Sequence, residues 1–231
     1  MDEPALSIVL PCLDEAPTIA RALAALQPLR KLGAEVIVVD GGSEDGTPER
    51  CHAGCDHLLH APRGRARQMN AGAARASAAS LLFLHADTQL PASALDLIVG
   101  GLVDHCWGRF DVDIVGNSRW LPVVAATMNL RSRITGVATG DQAIFVRRRE
   151  FEKIGGFPEQ ALMEDVEFSI RMRRIQRPCC LRDKVRTSGR RWDSHGSIRT
   201  ILLMWRLRLA YALGADPEAL SRHYRNIRQP R

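Results

Sequence analysis

Short apolar runs that end at a proline or a polar residue recur through the first ninety residues of the chain. The clearest runs lie before Pro11, before Asp40 and before the segment His85-Ala86-Asp87, and a weaker run ends at His60. Runs of this length are typical of strands that are buried on both faces. Stretches with apolar residues at helical spacing separate them, at 17–29, from 47 onwards and at 68–79. We therefore expect a parallel sheet with crossover helices.

The rest of the chain continues the alternation of helices and strands. Strand patterns occur at 106–115 and 179–185, and helical patterns occur at 92–103, 121–134, 164–174, 198–213 and from 217 onwards. No internal repeat or low-complexity linker divides these elements. The sequence therefore predicts a single α/β domain over 1–231, with a mostly parallel central sheet flanked by helices. Its core spans about 6–192, and a basic helical tail spans about 197–231.

Two carboxylates stand at the carboxyl ends of predicted strands. Asp40 and Asp87 are expected at the same edge of the sheet, which is where open α/β sheets bind ligands. A nucleotide diphosphate needs a hydrogen-bond acceptor for its base and a carboxylate that holds a divalent cation on the phosphates. We assign the first role to Asp40 and the second to Asp87. The alternative is that each carboxylate only caps the helix that follows it.

Three further segments carry charged groups that suit this chemistry. The arginine-rich segment 63–67 leads into a helix N-terminus, which favours an anion. Glu164 and Asp165 open another helix, where a carboxylate can deprotonate an acceptor hydroxyl. Arg191 and Trp192 can face a diphosphate or line an acceptor channel. The structural alternatives are a solvated loop, compensation of a helix dipole and surface stacking of arginine on tryptophan.

The positive charge is concentrated at the C-terminal end of the chain. Residues 186–231 contain ten arginines and no lysine against three carboxylates, whereas the whole chain has a net charge of +6. The predicted helix 198–213 either lies in a membrane interface or covers the core while its arginine stems reach outward. We favour packing on the core. The apolar residues that one side of this helix carries are Ile201, Leu202, Trp205, Leu209 and Leu213.

Cysteine usage and hydropathy bear on the compartment. The six cysteines are scattered and form no CxxC pair, which is typical of reduced cytosolic thiols. The N-terminus has no signal-peptide pattern, and no apolar run approaches the roughly 18 residues that span a bilayer. We therefore expect a cytoplasmic protein. Peripheral contact with the inner face of a membrane, through the C-terminal basic helix, is left open.

Five motifs occur in the order found in family 2 glycosyltransferases, which have the GT-A fold. The segment 10–15 resembles P-x-x-[ND]-E, and 39–47 resembles V-D-D-G-S-x-D-G-T. His85-Ala86-Asp87 resembles D-x-D, Glu164-Asp165 resembles the family's E-D, and Arg191-Trp192 resembles the end of Q-x-x-R-W. The resemblance covers roughly residues 6–192, and it implies a GT-A fold with a Rossmann-like sheet.

The resemblance also implies a set of residue roles. Asp87 would hold Mg²⁺ or Mn²⁺ on the diphosphate. Asp165, with Glu164 beside it, would supply the general base of an inverting, single-displacement transfer. The nucleoside would lie against the first three of the residues that we assign to nucleotide-sugar binding, which are Pro11, Glu15, Asp40, Arg67, Asp87, Gly140, Asp141, Gln142, Arg191 and Trp192.

Three residues depart from the family's motifs. Gly41 replaces the second Asp of D-D-G-S, His85 replaces the first Asp of D-x-D, and Ser188 replaces the Gln of Q-x-x-R-W. The first departure weakens the prediction about base recognition. The second leaves Asp87 as the one metal ligand that the motif supplies.

Four segments resemble a narrower group within the family. They match a bacterial subgroup of small family 2 enzymes whose genes accompany radical-SAM and selenodomain genes, and this subgroup has no assigned reaction. The resemblance therefore implies a class of enzyme without a substrate. The segments are 63–72, 84–88, 139–142 and 163–167.

The function that we predict is transfer of a sugar from a UDP- or GDP-linked donor to an acceptor hydroxyl, with inversion and with a divalent metal. The acceptor is not identified, and a lipid-linked acceptor is left open. Two alternatives are a nucleotidyltransferase on a similar fold and a non-catalytic basic module that binds a membrane or nucleic acid. The N-terminal loop lacks the Gly-rich signature of the first. No recognised nucleic-acid motif accompanies the charge, so we expect no nucleic-acid partner.

Overall fold

A computed structural model describes residues 4–190, 193 and 197–228. The strands are β1 Leu6–Cys12, β2 Ala34–Asp40, β3 His57–His60, β4 Ser80–Phe83, β5 Thr88–Gln89, β6 Trp107–Val115, β7 Ile144–Arg147 and β8 Cys179–Ser188. The helices are α1 Ile19–Lys31, α2 Thr47–Cys51, α3 Arg65–Arg75, α4 Ala94–Asp104, α5 Leu121–Thr135, α6 Arg148–Lys153, α7 Glu164–Arg173, α8 Ser197–Ala212 and α9 Pro217–Arg228. A 3₁₀ turn, Gly140–Gln142, precedes β7.

The eight strands form one sheet in the order β3-β2-β1-β4-β7-β6-β8-β5. Strand β1 pairs in parallel with both β2 and β4, and β6 pairs in parallel with β8. Strand β7 runs antiparallel to its two neighbours, and β5 runs antiparallel to β8. The predicted α/β class with a mostly parallel sheet is therefore confirmed.

Apolar layers cover both faces of the sheet. Because side chains alternate along a strand, Ile8 and Leu10 face one layer while Val9 faces the other. The first layer includes buried residues of α1, α4 and α5, and the second includes residues of α3, α6 and α7. Helix α3 lies close to the sheet at Gly72, where an added Cβ would come 2.4 Å from Val9 Cγ1. The strands are thus fixed from both sides, so their carboxyl ends form a defined edge.

The predicted elements are present, with shifted boundaries. Helix α3 begins at Arg65 and ends at Arg75, earlier than predicted at both ends, because Ala76 leaves the helix with an extended backbone. The short elements β5, β7 and α6 were not predicted. Two residues of β5 give no alternation to detect, and the three arginines that begin at Arg147 hide the start of α6.

The apolar side of the C-terminal helix differs from the prediction. We define the outer stripe as Leu202, Trp205, Leu209 and Leu213, and these residues are 60 to 79% exposed. The expectation that they cover the core is therefore wrong, although Ile201 does pack against it. The opposite side of α8 is the one that packs, through residues such as Leu207. None of the described helices is both long and apolar enough to cross a lipid bilayer.

Candidate active site

The loops that follow β1 and β2 are tied together by the polar residues of the 39–47 motif. Ser43 Oγ accepts a hydrogen bond from the Asp14 amide at 2.9 Å, and Thr47 Oγ1 accepts one from the Glu15 amide at 2.9 Å. Asp45 Oδ2 accepts from the Ala16 amide at 2.9 Å. The motif therefore fixes the shape of the loop that carries Glu15, at the carboxyl edge of the sheet.

The carboxylate of Asp40 is buried and stabilises its own loop. It accepts hydrogen bonds from the Gly42 amide at 2.9 Å and from both the amide and the hydroxyl of Ser43. Burial by itself raises the pKa of Asp40, but these hydrogen bonds and the nearby His60 bring the pKa below its usual value. Asp40 is thus an ionised residue that holds its own loop, and it does not cap α2, whose N-cap residue is Gly46.

Pro11 and Glu15 lie beside this loop and are only partly buried. Pro11 is paired with Val39 at the end of the parallel ladder, while Glu15 Oε2 accepts a hydrogen bond from Thr18 Oγ1 at 2.5 Å. A guanidinium nitrogen of Arg190 lies 3.5 Å from the same oxygen. The segment after β8 therefore meets the loop after β1.

Asp87 follows β4 and is half-buried. Among the described residues, its Oδ1 makes long contacts with the hydroxyls of Thr88, at 3.4 Å, and Thr187, at 3.5 Å. The described residues include no cluster of three or more histidine, cysteine or acidic side chains that could hold a metal ion. A hard divalent cation commonly takes one or two carboxylates and completes its shell with water and substrate phosphates, and Asp87 fits that requirement.

His85 contacts the 3₁₀ turn that precedes β7. Its Nδ1 lies 3.2 Å from Asp141 Oδ1. Its Nε2 is buried and has no hydrogen-bond partner in the part of the chain that the structure describes, and an added Cβ on Gly140 would lie 2.5 Å from that nitrogen. The histidine that replaces the first Asp of D-x-D therefore packs against Gly140 and pairs with Asp141.

Asp165 is joined to the same turn. Its Oδ2 accepts a hydrogen bond from the Gly140 amide at 2.9 Å, and its Oδ1 accepts one from the Val166 amide at 2.8 Å. The structure thus brings together assigned residues from two separate motifs, namely Gly140 and Asp141 from one and Asp165 from the other, and His85 contacts the same turn. Each carboxylate oxygen of Asp165 has one backbone donor, which holds the side chain in a single orientation.

Glu164 lies beside Asp165 and is almost fully buried. An Arg65 nitrogen approaches Glu164 Oε1 at 3.6 Å. Burial and the neighbouring Asp165 charge raise the pKa of Glu164, although Arg65 opposes this shift. A cavity lies between these groups, and its lining consists of Arg65, Met69, Phe83, His85, Gly140, Ile144, Phe157, Glu164 and Asp165.

The other assigned residues have different positions. Gln142 is fully buried, and its amide donates to Ser132 Oγ at 3.1 Å, so it anchors the turn to α5. Arg67 pairs with the exposed Glu159 at 3.3 Å. Arg191 and Trp192 lie outside the described residues. Sequence reasoning did not single out Arg65, although it lies in the segment 63–67, because only the helix register shows which arginine points to Glu164.

Backbone strain is concentrated around this site. Asp14, Ala143 and Met163 have positive φ values of 53°, 49° and 67°. They stand in the loop after β1, directly after the 3₁₀ turn and directly before Glu164. Non-glycine residues held in this region are often found at functional sites, where the surrounding structure compensates for the strain.

Comparison with known proteins identifies the family. The sequence pattern described as "Glycosyl transferase family 2" matches residues 7–155, which is more than half of the chain. No curated protein matches the chain at a significant level.

Solved structures share the fold. The chain superposes on S. aureus TarS 1-349 in complex with UDP-GlcNAc with a TM-score of 0.64 and 20% identity, covering 80% of this chain and 58% of that one. It superposes on the mannosyltransferase PcManGT from Pyrobaculum calidifontis, in complex with GDP-Man and Mn²⁺, with a TM-score of 0.66 and 20% identity, covering 100% of this chain and 71% of that one. The chain thus spans well under two thirds of the TarS fragment. The α/β fold with a mostly parallel sheet is that of the GT-A glycosyltransferases, and the chain belongs to glycosyl transferase family 2.

Proposed function

We propose that the protein is an inverting, metal-dependent glycosyltransferase that uses a nucleotide-diphospho-sugar. The observation that carries this proposal is the joining of Asp165 to Gly140 in a cavity at the carboxyl edge of the sheet. Open α/β sheets bind their ligands at this edge, and a fixed carboxylate there is suited to accept a proton. Family membership favours this function over the nucleotidyltransferase and binding-module alternatives.

The donor would lie against the loops after β1 and β2. Pro11 and Glu15 are partly exposed there, and Asp40 shapes the loop through its hydrogen bonds. The similar structures contain UDP-GlcNAc and GDP-Man, which supports a UDP- or GDP-linked donor. The resemblance to the subgroup associated with radical-SAM and selenodomain genes remains a prediction and adds no substrate.

Asp87 would hold the divalent cation, Mg²⁺ or Mn²⁺, on the donor's diphosphate. When bound, such a cation neutralises charge that builds up on the departing phosphate oxygens. The carboxylate suits this task because its hydrogen-bond contacts within the chain are long. The Mn²⁺ present in the similar mannosyltransferase complex supports this assignment.

The transfer step would use Asp165 as the general base. Its carboxylate takes the proton of the acceptor hydroxyl while that oxygen forms a bond to the anomeric carbon. The bond from the anomeric carbon to the phosphate oxygen breaks, and its electron pair leaves with the nucleoside diphosphate. Attack from the side opposite the leaving group inverts the anomeric configuration. The two backbone donors to Asp165 keep it aligned for this single displacement.

We place this reaction in the cytoplasm, at the inner face of a membrane. The six cysteines have no disulfide partner, which is the state expected of thiols in a reducing compartment. The outer stripe on α8 supports a peripheral membrane contact, because exposed leucine and tryptophan beside arginine suit the boundary of a bilayer.

The test is calorimetric titration of the full chain with UDP and with GDP, each with and without Mn²⁺. We expect one nucleotide to bind in a metal-dependent manner. Asp87→Ala should weaken that binding about tenfold or more, because it removes the metal's protein ligand. Asp165→Asn should leave binding nearly unchanged while abolishing turnover of the matching nucleotide-sugar.

The matched control is Asp96→Ala, which removes an exposed carboxylate on α4. It should bind like the wild type. Absence of binding for both nucleotides, with and without Mn²⁺, would overturn the proposed function. If Asp165→Asn weakened nucleotide binding as much as Asp87→Ala does, Asp165 would instead be a donor-binding residue.

A further inference from the structure

Two arginines near the site have buried nitrogens that find no hydrogen-bond partner among the described residues. They are Arg131, at Nε and Nη2, and Arg208, at Nε. An arginine side chain stays protonated in proteins, so these N–H groups cannot be relieved by loss of the proton. Unsatisfied buried donors of this kind are rare, and each calls for a missing partner or a function.

Both arginines belong to elements that contact the site. The residue after Arg131, Ser132, is fully buried and accepts the hydrogen bond from Gln142 in the 3₁₀ turn. The residue before Arg208, Leu207, is buried against Met163, which directly precedes Glu164. Helix α5 therefore approaches the site from the 3₁₀ turn, and α8 approaches it from the start of α7.

The charges agree with this placement. Burial and the nearby Arg208 together lower the pKa of Arg131 to about 10, although Asp165 opposes the shift. Burial also lowers the pKa of Arg208, and Asp165 and Asp141 oppose that shift. The two guanidinium groups thus repel each other next to the proposed base. An anion between them would remove this repulsion and satisfy the free donors.

The same two helices are apolar on their outer sides. Helix α5 exposes Val123, Leu130 and Ile134, and α8 exposes the outer stripe. The exposed arginines Arg199 and Arg206 accompany that stripe. Each helix therefore combines an inward arginine with an outward apolar surface, which matches a molecule that has an anionic head and an apolar tail.

We propose that Arg131 and Arg208 form an acceptor subsite for the phosphate of a phosphate-bearing lipid, an inference that rests on the proposed function for its catalytic meaning. The phosphate lies between the two guanidinium groups, and the reacting hydroxyl reaches Asp165. The apolar chain of the lipid lies along the outer sides of α5 and α8, at the membrane surface. The proposal concerns binding, and the transfer step is unchanged.

The position of the arginines favours the acceptor over the donor. The donor's diphosphate is assigned to Asp87 and the loops after β1 and β2. The two arginines instead lie close enough to interact electrostatically with Asp165, which must touch the acceptor. A further reason is the exposed apolar surface on the helices that carry them, since a nucleotide-sugar has no group that would use it.

The experiment measures binding of decyl phosphate, below its micellar concentration, to the full chain by calorimetry. The double variant Arg131→Gln/Arg208→Gln should bind it at least about tenfold more weakly, because it loses charge-assisted hydrogen bonds. The variant Arg131→Lys, which keeps the charge but loses the planar fork, should lose part of the affinity. Arg222→Gln, at an exposed position on α9, is the matched control and should bind like the wild type.

Inorganic phosphate separates the two sources of the anion. It should bind more weakly than decyl phosphate, and equal binding would show a free-anion site and overturn the lipid assignment. The assignment would also be overturned if the wild type did not bind decyl phosphate. The same holds if Arg222→Gln lost as much affinity for decyl phosphate as the double variant. Thermal unfolding should show the double variant to be at least as stable as the wild type, because it removes two unsatisfied buried charges.

Nucleotide binding distinguishes this proposal from the proposed function. The double variant should bind UDP or GDP with Mn²⁺ as the wild type does, and a parallel loss would assign the arginines to the donor's diphosphate. If the wild type binds neither nucleotide yet binds decyl phosphate through these arginines, the lipid-phosphate subsite stands while the proposed function fails.

Discussion

Gly140 is the residue at which the site tolerates least change. An added Cβ would lie 2.5 Å from His85 Nε2 and 2.7 Å from its Cε1, and the Gly140 amide donates to Asp165. The imidazole cannot move freely, because its Nδ1 is paired with Asp141. A side chain here therefore displaces either the histidine or the turn that orients the proposed base.

We predict that Gly140→Ala lowers the free energy of unfolding by about 1–3 kcal/mol, as overpacking of a tight contact does. Urea denaturation measures this change. Gly100→Ala is the control, because nothing lies within 4 Å of its added Cβ and alanine is the better helix residue there. Equal stability of the two variants would mean that the turn adapts and that His85 does not constrain it.

At the scale of residues, the sequence placed the candidate carboxylates at strand and helix ends better than it described their contacts. The positions of Asp87, Glu164 and Asp165 follow from strand and helix ends, so they were predictable. The hydrogen bonds that Gly42 and Ser43 donate to the Asp40 carboxylate were not predictable, because they depend on the backbone conformation of the loop. Buried arginine nitrogens cannot be read from a pattern either, since arginine normally indicates an exposed position.

Helix α8 shows the same limit at the scale of an element. The apolar spacing predicted the helix correctly over most of its length, but it did not identify the side that packs. An apolar stripe at helical spacing gives the same sequence pattern whether it faces a protein core or a membrane. Only the contacts of Leu207 and its neighbours with Met163 settle that the outer stripe is left uncovered.

The outer stripe leads to a prediction about membrane binding. The double variant Trp205→Ser/Leu209→Ser should lower the affinity of the protein for vesicles of phosphatidylglycerol and phosphatidylcholine, measured by sedimentation, by roughly a hundredfold or more, because burial of each large apolar side chain contributes about 1.5–3 kcal/mol. Folding should be unaffected, since both side chains are more than 60% exposed.

Leu32→Ser is the control, because Leu32 is 63% exposed at the end of α1 and outside the outer stripe. It should leave vesicle binding unchanged. If Leu32→Ser reduced binding as much as the double variant, the contact would be a general effect of surface hydrophobicity. If the double variant bound vesicles as well as the wild type, the outer stripe would not be part of the membrane contact.

At the scale of the whole molecule, several carboxylates link the fold to pH. Glu35, Asp40 and Asp56 are each partly or fully buried, which raises the pKa. Hydrogen bonds outweigh that effect, so that the pKa of each lies below its ordinary value. A group whose pKa is lowered by folding stabilises the folded state above its unfolded pKa, and that contribution is lost as pH falls through the folded pKa.

The ionisation of Glu164 has the opposite effect on the stability of the folded state. Its pKa is raised in the folded state by burial and by Asp165. Its ionisation therefore disfavours folding as pH rises from the unfolded pKa, near 4.5, to the higher folded pKa. Glu164 acts above about 4.5, whereas the carboxylates with a lowered pKa, Asp45 included, act below it. The stability should therefore stay level or rise slightly as pH falls from 7 to about 5, and it should decrease steeply below about 4.

Asp56 provides the sharpest test of this acid dependence, because it joins three parts of the N-terminal half. Its carboxylate pairs with Arg30 at 2.5 Å and accepts the Val36 amide at 2.8 Å. We predict that Asp56→Asn is less stable than the wild type at pH 7 and that the difference shrinks as pH falls below about 4, where the wild-type carboxylate becomes protonated.

Urea denaturation at pH 7, 5, 4 and 3 measures this, with the exposed Asp96→Asn as the control that should follow the wild type at every pH. A difference between Asp56→Asn and the wild type that stayed constant from pH 7 to 3 would show that the side chain acts through its shape and neutral hydrogen bonds. The charge of Asp56 would then have no part in the acid sensitivity of the fold.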